Sequence, residues 1–196
     1  MSYSAEHKQK VRNTIVESAR VLFNRHGFEG VTIDKVMAFA GLTRGGFYNH
    51  FKNKDELYSE AMSSFLMGRG AQWRADAGID PASPNPEMAR RMVKSYLSSE
   101  HLGNLDDQCP MIALPSDVAR SRPEVQLSYQ KLLEAMVSLF EGGLAQESDS
   151  ARQQALSLAA LCVGGMVLAR TLPDSSLAKE VQAAARVSAD KIIQNK

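Results

Sequence analysis

The sequence predicts an all-α protein with a small N-terminal three-helix domain followed by a larger helical domain. Apolar residues recur at helical spacing over nearly the whole length, and no alternating β pattern of useful length interrupts them. The clearest break, residues 76–87, gathers three prolines, a glycine and a serine. With 196 residues and 44% apolar content, the chain can bury a sizeable core. We expect one domain over residues 1–53 and a second over residues 54–196.

The first two helices are indicated by spacing and by their end signals. Their apolar positions are Val11, Ile15, Ala19, Leu22 and Phe23 in one, and Ile33, Val36, Met37 and Ala40 in the other. Gly27 should end the first helix. Thr32 precedes the second, where its hydroxyl can cap free amides, and Gly41 suits the left-handed residue that ends it.

A third short helix should run from Arg44 to His50, with Thr43 placed to cap it. Phe47 and Phe51, four residues apart, form the side that packs inward. The outward side carries Arg44, Tyr48, Asn49 and His50, which are hydrogen-bond donors or aromatic contacts. Two short helices joined by a glycine turn form a helix-turn-helix, the shape that enters the major groove of DNA.

Gly45 and Gly46 are adjacent glycines inside this third helix. Each costs about 1 kcal/mol relative to alanine in a helix, so helix propensity does not explain them. Close approach of another backbone does, because a helix start without side chains can press its amides against a phosphate. A flexible loop is the alternative, and it gives no reason for the aromatic and cationic residues that follow.

Residues up to about position 60 resemble the DNA-binding domain of TetR-family transcriptional regulators. The family pattern is met here by Thr32, Gly41, Leu42, Thr43, Phe47, Tyr48, His50, Phe51 and Lys54. The resemblance implies that Thr32, Thr43, Tyr48, His50 and Lys54 hold phosphates, and that Arg44, Gly45 and Asn49 face base edges. It further implies a repressor that a small-molecule inducer, bound in the C-terminal domain, releases from a palindromic operator. Beyond this stretch the resemblance covers architecture only.

The charge distribution agrees with a DNA-binding N-terminus. Residues 1–54 hold 9 Lys or Arg and 4 Asp or Glu, for a net charge of +5, and the remaining residues hold 14 and 18, for −4. The basic charge is therefore concentrated at the helix-turn-helix. This modest excess fits a protein that gains phosphate contacts by dimerising, and high salt should weaken its binding.

The sequence also predicts a cytoplasmic location. The segment MSYSAEHKQKVR at the N-terminus is polar and has no secretory signal pattern. Cys109 and Cys162 are too few for a disulfide framework, which fits a reducing compartment. The longest apolar run, residues 155–169, is shorter than the roughly 18 to 20 residues that span a bilayer, so we interpret it as a buried helix.

That apolar run belongs to the second-last helix, which predicts a homodimer. Its apolar side chains cover nearly every face, so the helix must be enclosed. Gly164 and Gly165 would allow a second backbone to come close. The last helix offers a matching side with Val181, Ala184, Ala185, Ser188 and Ile192. We expect a two-fold four-helix bundle from the last two helices of each chain, as the family resemblance implies; a central helix of a monomer is the alternative.

The middle of the chain holds candidates for an inducer pocket. Eight apolar or aromatic residues could line it: Phe65, Trp73, Met92, Tyr96, Met111, Tyr129, Met136 and Met166. Each fits plain core packing equally well, because such residues at helical spacing are how helices pack. No charged cluster indicates a ligand class, so an apolar or aromatic inducer is the default expectation.

Cys109 offers an alternative sensing chemistry. Pro110 suits a first helical position, which places Cys109 at the helix cap, where amides and the dipole favour a thiolate. Asp106 and Asp107 oppose that effect. A redox- or electrophile-sensing repressor is thus the alternative function, and a capping residue without redox role is the alternative for Cys109 itself. Cys162, inside the apolar helix, should be inert.

Other classes of protein find little support in the sequence. His101, Glu100, Asp106, Asp107 and Cys109 include residue types of a thiol or metal enzyme, yet no spacing pairs two of them on one helix face. We find no phosphate-binding glycine loop, nucleophile elbow or dinucleotide fingerprint. The sequence therefore predicts no catalytic residues, no metal site and no cofactor. An architectural DNA-binding protein would need a stronger basic surface.

Overall fold

The computed structural model describes residues 4–144, 149–173 and 175–194, and within them every regular element is helical. The predicted all-α class is therefore confirmed. The α-helices are α1 (Ala5–His26), α2 (Ile33–Phe39), α3 (Lys54–Met67), α4 (Arg69–Asp76), α5 (Pro86–Tyr96), α6 (Ser99–Gly103), α7 (Pro110–Ala113), α8 (Pro115–Ala119), α9 (Pro123–Gly143), α10 (Asp149–Thr171) and α11 (Ser176–Gln194); a 3₁₀ helix spans Arg44–Asn49. The first three residues of the polar N-terminal segment lie outside the described residues.

These helices form two compact units. The first comprises Met1–Met67 and Leu105–Gln130, and the second comprises Gly68–Asn104 and Lys131–Lys196. The expected domain boundary at residue 53 stays a prediction. The compact units have other bounds because residues 105–130 pack with the N-terminal helices.

In the first unit, α1 provides the central packing surface. Ser4 caps its start by accepting a hydrogen bond from the His7 amide at 3.2 Å, and Ile15, Ala19 and Phe23 are completely buried. Gly27 ends the helix, as expected, with a φ of 69°. A side chain at Gly27 would be strained by that φ and would also meet Asp117 Oδ2 at 2.7 Å. The positive φ therefore favours glycine at this position, and a larger residue would also require the Asp117 carboxylate to move.

The second helix and its turn form as the sequence predicts. The Thr32 hydroxyl accepts a hydrogen bond from the Lys35 amide at 3.2 Å and caps α2. Gly41 adopts a φ of 70°, and the Leu42 amide donates to the Met37 carbonyl at 2.8 Å. This is the left-handed helix ending that favours glycine.

The third helix of the predicted domain differs from our expectation in two respects. It is a 3₁₀ helix over Arg44–Asn49 rather than an α-helix to His50, and the Thr43 side chain makes no capping hydrogen bond. The adjacent glycines, Gly45 and Gly46, explain the difference, because they disfavour α-helix in a segment too short to gain many i to i−4 bonds.

Helix α3 begins directly after Asn53, whose side chain caps it. Asn53 Oδ1 accepts from the Glu56 amide at 2.9 Å, while Glu56 Oε2 accepts from the Lys52 amide at 2.7 Å. The second bond reaches one residue further back than in a standard capping box. This 14-residue helix ends at Met67, and Gly68 separates it from α4.

The segment Leu105–Gln130 completes the first unit through polar contacts with α1 and α3. Arg25 donates to both Asp106 carboxylate oxygens at 2.5 Å, Asn24 donates to the Gln108 carbonyl at 2.8 Å, and the Phe28 amide donates to Asp117 at 3.1 Å. Ser59 on α3 and Ser128 on α9 share a hydrogen bond of 2.7 Å. Pro110 begins α7, as expected, while Pro115 begins α8 and Pro123 begins α9.

In the second unit, α10 packs on α11. A Cβ at Gly165 would lie 2.9 Å from the Ala185 Cβ and 3.2 Å from Leu97, so glycine is needed for this close approach. Cys162 and Met166 of α10 are completely buried. Helix α9 ends at Gly143.

Helix α10 also bears on the membrane question. Its segment Ser150–Thr171 has a mean hydropathy of 1.4 and is long and apolar enough to cross a membrane by length and composition. We expected the apolar run to fall short of a span, and the observed helix extends past that run. A single such helix is weak evidence, because the core helix of a globular protein meets the same criterion.

Candidate nucleic-acid interface

All eight residues predicted to contact DNA lie in the first unit and reach solvent. Six are exposed and two, His50 and Lys54, are half-buried. They occupy the cap of α2, the 3₁₀ helix with its flanking residues, and the first residue of α3: Thr32, Thr43, Arg44, Gly45, Tyr48, Asn49, His50 and Lys54. Their roles toward DNA stay predictions, and the geometry below shows what each side chain is free to do.

The 3₁₀ helix is anchored by aromatic side chains. Phe47 is fully buried and Phe51 is 2% exposed, which confirms the predicted inward side, and their ring centroids lie 5.5 Å apart. The Tyr48 ring stands perpendicular to Phe47 at 5.2 Å while remaining 60% exposed. The anchor therefore fixes the outward residues without burying them.

Arg44 is held by an acid that the sequence analysis did not single out. Its Nη1 donates to Asp34 Oδ2 of α2 at 3.0 Å, and the two side chains are 65% and 56% exposed. The ion pair joins α2 to the 3₁₀ helix at the surface. A charge count alone could not find it, because the residues stand ten positions apart and meet only through the turn at Gly41.

Arg12 is a second residue that the sequence did not reveal. It donates to both carboxylate oxygens of Glu60 on α3 and to the His50 carbonyl, and its guanidinium carbon lies 4.1 Å from the centre of the Phe51 ring. One side chain of α1 thus ties the end of the 3₁₀ helix to α3. Arg12 is polar and is not one of the apolar positions of α1, so periodicity gives no sign of this role.

His50 carries little positive charge at neutral pH. Partial burial lowers the pKa of its imidazole below the ordinary value, and the positive charges of Arg12 and Lys8 lower it further. A neutral imidazole can donate one hydrogen bond but does not add a cation to the surface.

Lys54 is engaged within the chain. Its Nζ donates to the carbonyls of Phe28 and Val31 at 2.8 and 3.0 Å, and it lies 3.9 Å from the centre of the Phe28 ring. The ammonium therefore fixes the loop that leads into α2, and it has one further donor for a phosphate.

Gly45 and Gly46 have no packing reason that requires glycine. Neither has a positive φ; a Cβ at Gly45 would meet nothing within 4 Å, and one at Gly46 would make an ordinary contact of 3.6 Å with Met37. The chain's own fold thus leaves Gly45 unexplained.

The residues predicted to line an inducer pocket divide between the two units. Phe65, Met111 and Tyr129 belong to the first, and Trp73, Met92, Tyr96, Met136 and Met166 to the second. Within the second unit, the Trp73 and Tyr96 rings meet at 6.0 Å, and the buried His101 ring lies 5.4 and 4.9 Å from them. Burial lowers the His101 pKa, although its hydrogen bond with the Tyr96 carbonyl opposes this. The pocket itself stays a prediction.

Both cysteines are buried. Cys109 is 3% exposed and precedes α7, whose four residues begin at Pro110 as expected. Cys162 is completely buried, and this burial raises its pKa. Among the described residues, no three or more His, Cys, Asp or Glu side chains are grouped to hold a metal ion.

Comparison with known proteins supports the interpretation of the N-terminal residues. Residues 15–61 match the family model described as "Bacterial regulatory proteins, tetR family". The transposon Tn10 TetC protein of Escherichia coli is 40% identical over 66 residues, 34% of each chain. The transcriptional regulator AcrR of Shigella flexneri is 30% identical over 95 residues, 47% of this chain and 44% of the relative. The chain thus matches less than half the length of these curated relatives.

The fold is shared over nearly the whole chain. A TetR-family transcriptional regulator from Cytophaga hutchinsonii superposes with a TM-score of 0.76 and 18% identity, covering 98% of this chain and 96% of that one. At this identity the likeness shows the fold alone. The family match lies over α1, α2, the 3₁₀ helix and the start of α3, where the exposed polar residues and buried aromatic anchors are found. Residues 15–61 therefore form a domain of the TetR family of bacterial regulatory proteins, and the chain shares its fold with a TetR-family transcriptional regulator.

Proposed function

We propose that this chain is a cytoplasmic transcriptional repressor that binds a palindromic operator as a homodimer and releases it when a small molecule binds. The observation that carries the proposal is the surface of the helix-turn-helix. Buried Phe47 and Phe51 hold the 3₁₀ helix in place, and Arg44, Tyr48 and Asn49 are exposed beside a glycine that the fold does not require. Rigid anchoring of exposed donors is what major-groove recognition needs.

An exposed apolar stripe on α10 supports the homodimer. Leu156, Ala160 and Leu168 are exposed at helical spacing, and Gly164 between them would meet nothing within 4 Å if it carried a Cβ. On α11, Leu177 and Ala184 are exposed on one side. Apolar side chains and an unexplained glycine fit a second copy packing on this face. Two recognition elements about 34 to 36 Å apart would then read successive major grooves.

An aromatic or apolar inducer fits the second unit. Trp73 is half-exposed and contacts Tyr96 and His101, so an aromatic molecule could stack beside the same cluster. Trp73 is the single tryptophan of the sequence, so its fluorescence reports binding there directly. Quenching by an aromatic compound that also weakens DNA binding would support the inducer part of the proposal.

Titration of DNA from upstream of the protein's own gene tests the repressor proposal. Fluorescence anisotropy should show tight binding to this fragment and weak binding to a shuffled fragment of equal length. Arg44→Ala should reduce the preference between them by about 1 to 3 kcal/mol, because a base contact is lost. Lys131→Ala, on α9 in the second unit, is the control for loss of one positive charge.

Equal affinity of the wild-type protein for both fragments, together with no enriched sequence in a random duplex library, would exclude a sequence-specific repressor. Binding that is tight on every sequence would instead indicate an architectural protein.

A further inference from the structure

Asp34 is an acid within a surface proposed to bind a polyanion. It lies in the first turn of α2, between the Thr32 cap and the buried face, and its carboxylate is 56% exposed. Such a charge repels phosphate. Its ion pair with Arg44 is also exposed, and exposed pairs contribute little to folding. The stability of the fold therefore gives only a weak reason for an acid here.

The pairing divides the donors of the Arg44 guanidinium. Nη1 donates to Asp34 Oδ2 at 3.0 Å, and no other hydrogen bond to this guanidinium is found among residues 4–144, 149–173 and 175–194. The Nε and Nη2 donors lie along the opposite edge of the planar group. Two adjacent donors on one edge are what arginine uses to bind guanine O6 and N7 together.

We propose that Asp34 is a positioning residue that sets the base specificity of Arg44. By holding Nη1, the carboxylate orients the guanidinium so that its Nε and Nη2 edge faces a guanine in the major groove. Its negative charge also disfavours the competing arrangement in which Arg44 turns to a phosphate. This inference rests on the proposed DNA-binding function and assigns a guanine contact to it.

Removing the Asp34 carboxylate should change two measured quantities differently: the affinity for random DNA and the preference for guanine. Removing the carboxylate removes a repulsion, so binding to random DNA should strengthen or stay equal. Removing it also frees Arg44 to contact phosphates or several bases, so the preference for guanine should fall. A residue that acted only through net charge would change the affinity for all sequences by one factor.

The test compares single-base variants of a duplex selected by the wild-type protein. The position that Arg44 contacts is identified as the one where Arg44→Ala loses a guanine preference of about tenfold or more. At that position, Asp34→Asn and Asp34→Ala should lose at least about threefold of the preference, while affinity for random DNA does not fall. Asp55→Asn, which makes the same charge change at the start of α3, should leave the preference unchanged.

A double variant separates positioning from a direct contact. In the Arg44→Ala background, Asp34→Ala should cause no further loss of preference at that position, because the carboxylate acts through the arginine. Circular dichroism and thermal unfolding show that each variant is folded at the assay temperature, since an acid in a first helical turn also stabilises the helix.

The result that overturns the inference is a guanine preference in Asp34→Ala that lies within about threefold of the wild-type value. A uniform change on every sequence would overturn it as well. Either outcome leaves the proposed function intact, because the wild-type protein would still discriminate among sequences. Absence of any selected sequence for the wild-type protein would instead overturn the proposed function.

Discussion

At the scale of single residues, two glycines of the proposed DNA-binding surface differ in why glycine is present. Gly41 has a φ of 70°, so its backbone requires glycine. Gly45 has an ordinary φ and open space around it, so the folded chain does not. A requirement from outside the chain, the close approach of a DNA backbone, is what we propose for Gly45.

Gly45→Ala should therefore affect binding and folding in opposite directions. The free energy of unfolding should stay equal or rise, by up to about 1 kcal/mol, because alanine restricts the unfolded chain. DNA affinity should fall, because the added methyl group blocks the approach. Urea unfolding and anisotropy titration measure the two quantities. Unchanged DNA affinity would mean that no backbone approaches this glycine.

Gly41→Ala is the matched variant for this comparison. Its positive φ strains alanine, so the free energy of unfolding should fall by roughly 1 to 2 kcal/mol. Its DNA affinity should fall only as far as the helix-turn-helix is unfolded at the assay temperature.

Substitution of Arg12 tests whether DNA binding depends on a residue that DNA itself need not contact. Arg12→Met keeps an apolar stem against Phe51 but leaves the Glu60 carboxylate and the His50 carbonyl without this donor. We expect the unfolding free energy to fall by about 1 to 2 kcal/mol, since the pair is only partly buried. DNA affinity should fall on all sequences alike. Glu60→Gln should show a smaller effect in the same direction, and a change confined to one base position would contradict the positioning role.

At the scale of elements, helix ends were the most predictable features. Thr32, Gly27, Gly41 and Asn53 act where local rules place them, because capping depends on a few neighbouring residues. The same local rules did not predict that Arg44–Asn49 forms a 3₁₀ helix, because the two glycines disfavour an α-helix while the packing of Phe47 still holds the segment in a helical turn. The interactions of Arg12, Asp34 and Lys54 were not predictable, because their partners lie 10 to 48 residues away.

The aromatic cluster of α4, α5 and α6 makes a pH-dependent prediction. Burial lowers the pKa of His101, so between that pKa and the ordinary value of 6.5 the unfolded chain binds more protons than the folded one. Stability contributed by the neutral imidazole is therefore present above pH 6.5 and is lost as the pH falls below it. The thermal midpoint should drop on going from pH 7.5 to pH 5.5.

His101→Gln provides the control for this titration. Glutamine does not ionise, so the variant should show a smaller drop over the same range, although its stability at pH 7.5 is reduced by the lost ring contacts. Identical pH profiles for the wild-type and variant proteins would show that His101 is not the titrating group. Circular dichroism at several pH values supplies the midpoints.

At the scale of the whole molecule, the sequence predicts two domains and a homodimer. The structure divides the chain into two compact units that are defined by their internal contacts. Residues 105–130 belong with the helix-turn-helix because Arg25, Asn24 and Ser59 bind them through polar contacts far apart in sequence. Such contacts leave no periodic pattern.

The proposed dimer makes its prediction at this scale. Gly164→Arg places a charged side chain on the exposed stripe of α10, where the isolated chain has room for it. We expect sedimentation at micromolar concentration to show a dimer for the wild-type protein and a monomer for the variant. Gly103→Arg is the matched control, because Gly103 is also open and lies outside the stripe. A wild-type monomer, or a dimer in all three proteins, would contradict the interface.

Selection from a random duplex library, followed by anisotropy on the selected sequence, tests the central claim most directly. The wild-type protein should enrich an inverted repeat with half-site centres about 10 base pairs apart. It should bind this repeat roughly 10³-fold or more tightly than shuffled DNA. Failure to enrich any sequence, or equal affinity for the enriched and shuffled duplexes, would contradict a sequence-reading function for the surface around Arg44, Tyr48 and Asn49.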